Sequence, residues 1–111
     1  MAKALEQLVI KEAVDGIIKL TDVPEGATAR IPPGPLEEHH DVSFYVQVVL
    51  DGARIGDRFT GTTPHSETIE IKVSREDLLN HIGPQGAEFT YVLVLGGNLQ
   101  DAPFTKYEIT H

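Results

Sequence analysis

Five consecutive residues, Glu37-Glu38-His39-His40-Asp41, carry side chains able to ligate a metal ion. Imidazole and carboxylate suit zinc or nickel when three or four of them converge on one point. Neighbouring residues of an extended loop point in different directions, however, and structural metal sites usually draw on ligand pairs spaced apart in sequence. His39, His40 and Asp41 are therefore the metal candidates, weighed against a plainer reading of the segment as a solvated acidic loop. Calcium would find hard oxygen ligands among the 17 acidic residues, but no Asp-x-Asp-x-Asp-Gly loop is present. Ser66 or Ser43, with His81 and Asp77, supply the residue types of an acyl-transfer triad. Neither serine stands in the Gly-x-Ser-x-Gly setting that exposes such a nucleophile. His81 is better explained as a partner for the carbonyls ending a short helix. Gly96-Gly97-Asn98 reads as a turn, because a phosphate cradle needs a Lys and a following helix. With no Cys there is no thiolate nucleophile. The expectation is a protein without catalytic residues and without a cofactor.

One residue stands out as a ligand candidate. Tyr45 is the aromatic expected to face away from the core, and sugar-binding sandwiches stack carbohydrate on exposed rings. With 3 Tyr, 4 Phe and no Trp, such surface is scarce, and a sugar site ranks below a protein contact.

The elements that must position these groups are mostly strands. Val, Ile and Thr together number 28 of 111 residues, and β-branched side chains suit a pleated, half-buried surface. Turn residues recur at short intervals: Asp15-Gly16, Glu25-Gly26, Pro32-Pro33-Gly34, Asp51-Gly52, Gly83-Pro84 and Gly96-Gly97-Asn98. Thr68 to Val73 alternates cleanly, with Ile69, Ile71 and Val73 on one face. Val42 to Leu50 has an apolar face and a mixed one, which predicts a strand with neighbours on both sides. Asp51-Gly52 predicts a two-residue hairpin turn leading into a strand from Arg54 to Phe59 or Thr60. Further strands are expected over Leu8 to Ala13, Ile17 to Leu20, Ala29 to Ile31, Ala87 to Leu95, and Phe104 to Thr110 with Tyr107 and Ile109 inward. Ser74 and Asp77 resemble a capping box opening a short helix around Arg75 to His81, which Gly83-Pro84 stops. The expected core contains Val46, Val48, Ile69, Ile71, Phe89, Tyr91, Leu93 and Ile109.

The spacing predicts an all-β sandwich, with a small β-barrel as the alternative. About seven strands with one short helix before the penultimate strand is the immunoglobulin-like pattern. From Ala13-Val14-Asp15-Gly16 through Ile31-Pro32-Pro33, then the hairpin and the helix, the chain resembles bacterial immunoglobulin-like modules. Those modules recur in large surface and secreted proteins. The resemblance spans about Ile10 to Thr110 and departs from antibody domains in having no Trp and no Cys; Tyr91 stands where a corner tyrosine of the penultimate strand would. It implies one domain over residues 1–111, with 1–7 as a loosely ordered leader. It also implies a non-catalytic spacer or protein-binding unit that is a monomer or weak dimer, with a carbohydrate-binding module as the alternative. The expected partner is a protein or a neighbouring module of the same kind.

Charge and length narrow the classes further. Nine basic against 17 acidic residues leave a net charge of −8, the wrong sign for a nucleic-acid backbone or an anionic membrane surface. No apolar run reaches the ~20 residues of a membrane-spanning helix. Glu6 interrupts the apolar stretch Leu5 to Ile10, so no secretory h-region is expected at the start. Pro residues and charges near both ends read as protection of sheet edges against a recruited strand.

Overall fold

Alternation of apolar and polar residues gives each strand one face to bury, and two such faces meet here. The computed structural model describes residues 5–110. Residues 1–4 of the expected leader lie outside the described residues. In chain order the strands are β1 (Val9–Ile10), β2 (Ile17–Lys19), β3 (Ala27–Ile31), β4 (Ser43–Leu50), β5 (Ala53–Thr62), β6 (Ile69–Val73), β7 (Gly83–Leu95), β8 (Asn98–Asp101) and β9 (Thr105–Thr110). A five-residue helix, α1 (Arg75–Leu79), lies between β6 and β7, and 3-10 turns occupy Leu20–Asp22 and Gly34–Glu37.

One sheet has three strands in the order β1-β3-β6. The other runs β2-β9-β7-β4-β5, with β8 also paired to β7. All pairs are antiparallel except β2 with β9, where Ile17, Ile18 and Lys19 run alongside Glu108, Ile109 and Thr110. The all-β expectation is met, and all eight expected core residues are buried in one cluster fed by both sheets. β4 has neighbours on both sides, which accounts for Val49 being buried on its outer face. Asp51 and Gly52 both take positive φ (49° and 84°), as the tight β4–β5 hairpin requires. β3 stops at Ile31 because Pro32 has no N–H to give the ladder.

α1 forms because Ser74 caps it: its Oγ accepts from the Asp77 N–H at 3.1 Å and donates to Asp77 Oδ2 at 2.9 Å. Leu78 anchors it in the core, and the helix carries the chain from the three-stranded sheet to the six-stranded one. Strand and helix bounds differ from expectation in several places: β7 starts at Gly83, so Gly83-Pro84 is not a turn, and α1 ends earlier than expected, at Leu79. The first expected strand is cut to Val9–Ile10, since Glu12 turns aside and accepts from the N–H and hydroxyl of Thr28. Phe104 falls outside the last strand and is 58% exposed, so Tyr45 is not alone among aromatic residues in facing solvent. Pro103 interrupts the passage beside β7, leaving β8 and β9 as its two halves, with the Thr90 hydroxyl shared between the carbonyls of Ala102 and Pro103 at the break.

Two tyrosines of the six-stranded sheet hold the first segment. Tyr91 Oη donates to the Glu6 carbonyl at 2.6 Å, and the Ile10 N–H donates to Tyr107 Oη at 3.2 Å. Tyr91 thus bonds far upstream in sequence, to the entering segment, where a corner tyrosine would bond a few residues away. The register fixes the direction of travel. The segment passes Tyr91 first, then Tyr107, while Ile109 lies opposite Gly83 at the start of β7. Allowing for the register shift between Gly83 and Ala87, Glu6 and Ile109 are roughly 20 Å apart along β7 at ~3.3 Å per residue. The described chain therefore enters on the β7–β8 hairpin side and leaves at the α1 end of a body measuring 43 × 23 × 22 Å.

Candidate functional site

The outer face of the six-stranded sheet brings together residues that are scattered in sequence. Directly paired residues of antiparallel strands share a face. Thr60, Tyr45, Val94 and Leu99 therefore form one row across β5, β4, β7 and β8. Ser43 and Thr62 form the next row toward the β7–β8 turn. Together with Phe44, Gly61 and Gly97, residues Ser43, Tyr45, Thr60, Thr62 and Val94 line an open groove of about 440 Å³. The Arg58 guanidinium lies 4.3 Å from the centroid of the Tyr45 ring, a cation–π contact that fixes the ring and occupies one of its faces. Arg58, two residues before Thr60, falls on the same outer face; beside it β5 bulges between the residues paired with Val46 and Val48, where the Gln47 side-chain amide donates to the Gly56 carbonyl at 3.0 Å.

Tyr45 is thus half-buried on the outer face, as its place in the alternation predicts. Its neighbours Arg58, Val94 and Leu99 were not legible as part of the same surface. The signal that places Leu99 is the Gly96-Gly97 pair: a two-residue hairpin there sets Val94 opposite Leu99.

The metal candidates fare differently. His39 Nδ1 donates to the Pro35 carbonyl at 2.8 Å, closing the 3-10 turn on itself. His40 is exposed. Asp41 adopts φ 56° and its N–H donates to the Thr63 carbonyl at 3.1 Å, while the buried Thr63 hydroxyl accepts from the Val42 N–H. The loop is pinned by backbone bonds. Among the described residues, no group of three or more His, Asp or Glu side chains is placed to hold a metal ion.

The triad residues are split between the ends of the sandwich. Ser43 pairs with Thr62 near the β7–β8 turn, whereas His81 follows α1 at the other end. His81 Nδ1 donates to the Asp77 carbonyl at 2.9 Å, the helix-end role expected of it. Its Nε2 faces Asp51 Oδ2 at 3.6 Å across a shallow groove of about 380 Å³ that Asn80 and Gln85 also line. Ser66 follows His65, whose ring packs on Phe44 and Phe59 at 5.7 and 5.6 Å. His65 Nε2 is buried without a hydrogen-bond partner among the described residues.

Among the described residues, the most perturbed ionisable group is structural. Burial of the Tyr91 hydroxyl, reinforced by the nearby Glu6 carboxylate, pushes its pKa up to about 12. Comparison with protein-family models, curated proteins and solved structures found no match to this chain.

Proposed function

We propose that this chain is a non-catalytic immunoglobulin-like module, a spacer or protein-binding unit of a larger bacterial surface or secreted protein. The observation that carries the reading is the strand order. Taken as single passages, β1 with β2 and β8 with β9 reduce nine segments to seven. The first passage (through β1), the second and the fifth then form one sheet; the third, sixth and seventh lie in the other, with the fourth beside the third and β2 beside the seventh. That division is close to the two-sheet arrangement of immunoglobulin-like domains. Entry and exit at opposite ends favour a spacer, since such units join head to tail into a rod. The acidic surface keeps rods soluble and discourages lateral contact at low salt. Fold alone names no partner. A module of this kind binds no small metabolite or sugar. Its protein-binding variant retains one partner from the parent organism, and that capture is lost when the outer sheet face is altered.

The groove beside Tyr45 favours a carbohydrate-binding module as the second reading. The hydroxyls of Ser43, Thr60 and Thr62 are uncommitted among the described residues and stand around a ring already fixed by Arg58. A pyranose would stack on the ring face opposite Arg58. A glycan panel separates the two readings. A saccharide signal that disappears in Tyr45→Ala supports the sugar module, and silence across the panel leaves the spacer or protein-binding module standing.

A further inference from the structure

Sheet edges invite other strands, and this molecule protects its edges unequally. β1 and β2 are too short to template a partner. β5 carries Arg54, Asp57 and Arg58, and its bulge leans on β6: a Cβ at Gly56 would lie 3.4 Å from the Lys72 carbonyl oxygen. β8 has no bulge and a single charge, Asp101, at its last residue. Among the described residues it pairs only with β7, and its Leu99 is 55% exposed. The protection expected from prolines and charges near the chain ends does not reach it, since Pro103 stands just beyond its last residue.

The ladder tells which backbone groups are open. It begins at the Leu95–Asn98 pair of a two-residue hairpin, which exchanges hydrogen bonds. Asn98 and Gln100 therefore direct their N–H and C=O groups at β7, while Leu99 and Asp101 direct theirs outward. We propose that two copies of this chain associate weakly by pairing their β8 strands antiparallel about Leu99.

Self-complementarity argues for a second copy as the occupant. With Leu99 opposite Leu99 of the second copy, the two residues exchange both backbone bonds and bury each other's exposed side chains. Asp101 then falls opposite Gly97. The two Asp101 carboxylates stand four residues apart along the strand, about 13 Å and beyond the ~8 Å screening length at physiological salt. The alternative register, centred on Gln100, sets each Leu99 against an Asp101 carboxylate and is disfavoured. So short a strand pair buries far less than the ~1,200 Å² of a standard stable interface, so the dimer is weak and dynamic. Each copy bears −8, so screening by salt strengthens the pairing.

Sedimentation equilibrium of the full chain tests this from about 10 μM to about 1 mM protein, at roughly 0.05 and 0.5 M salt. The expected result is a reversible dimer that tightens with salt. Leu99→Lys and Asp101→Pro should each weaken it at least ten-fold. Leu99 is exposed and the Asp101 N–H points away from β7, so urea midpoints of both variants should match the parent within error, which keeps the fold out of the comparison. A chain that stays monomeric at the highest concentration overturns the proposal. So does a dimer that neither variant disturbs, which would place the contact elsewhere.

Discussion

Removing one oxygen atom, in Tyr91→Phe, tests whether the first segment is held from the opposite sheet. The Tyr91 ring is 1% exposed and its hydroxyl reaches the Glu6 carbonyl at 2.6 Å. At neutral pH the lost hydrogen bond costs about 1 kcal/mol, because the exposed Glu6 segment can turn its carbonyl to water. Alkaline solution reverses the order of the two proteins. In the unfolded chain the phenol titrates at its ordinary value of 10.0, whereas in the fold it holds its proton to about 12. A raised folded-state pKa means that this contribution is fully present below pH 10 and is lost as pH rises toward 12. At ~1.36 kcal/mol per unit, the loss is about 1.4 kcal/mol by pH 11 and approaches 2.7 kcal/mol above pH 12. Tyr91→Phe lacks this group, so its stability should fall less steeply, and the two curves should cross near pH 11. Urea melts at pH 7, 9, 10, 10.5, 11 and 11.5, each fitted for the midpoint and slope, measure it. Other tyrosines and lysines titrate in both proteins and cancel in the difference. Parallel curves from pH 9 to 11.5 would refute the burial of this hydroxyl, and equal stability of the two proteins at pH 7 would refute its bond to Glu6.

Four further substitutions probe the packing. Phe89→Ala and Ile71→Ala should each lose about 2 to 5 kcal/mol in urea melts, since both side chains lie in the shared core; changes under about 0.5 kcal/mol would mean that these positions are exposed. Gly26→Ala should destabilise by more than about 2 kcal/mol, because φ there is 108° and a Cβ would sit 2.4 Å from the Val73 carbonyl oxygen; a thermal midpoint matching the parent would contradict that approach. His65→Leu should be neutral or stabilise by up to about 1 kcal/mol, as it replaces an unbonded buried nitrogen among Phe rings with methyl groups. A loss above about 1 kcal/mol would show that Nε2 has a bond.

How much of this was legible in sequence depends on where each residue's partner lies. Ile69, Ile71 and Val73 needed only the period of two, and the Ser74 cap and the Asp51-Gly52 turn only their nearest neighbours. The eight core positions followed from the same alternation. β8 was hidden, since Asn98 to Asp101 contains one apolar residue and its strand character comes from pairing with β7. The long start of β7 was hidden too, because Gly83-Pro84 reads as a turn while the backbone continues beside β9 across an irregular register. At the candidate site Tyr45 announced itself by alternation. Arg58 shares that face by the same alternation, but the two-residue offset in β5 sets Thr60, in place of Arg58, directly opposite Tyr45. The metal candidates illustrate the converse. His39 through Asp41 have the right chemistry, but the local turn spends His39 on a carbonyl and Asp41 on backbone geometry.

The proposed spacer role rests on entry and exit at opposite ends of the long axis. Small-angle scattering of two copies joined head to tail through a short stiff linker tests it most directly. A rod requires the maximum dimension to grow by nearly the full 43 Å length of one copy. The radius of gyration should rise accordingly, and the profile should be unchanged in Leu99→Lys, which removes lateral pairing. A compact pair, lengthened by no more than the 23 Å width of one copy, would put entry and exit on the same side and contradict the account.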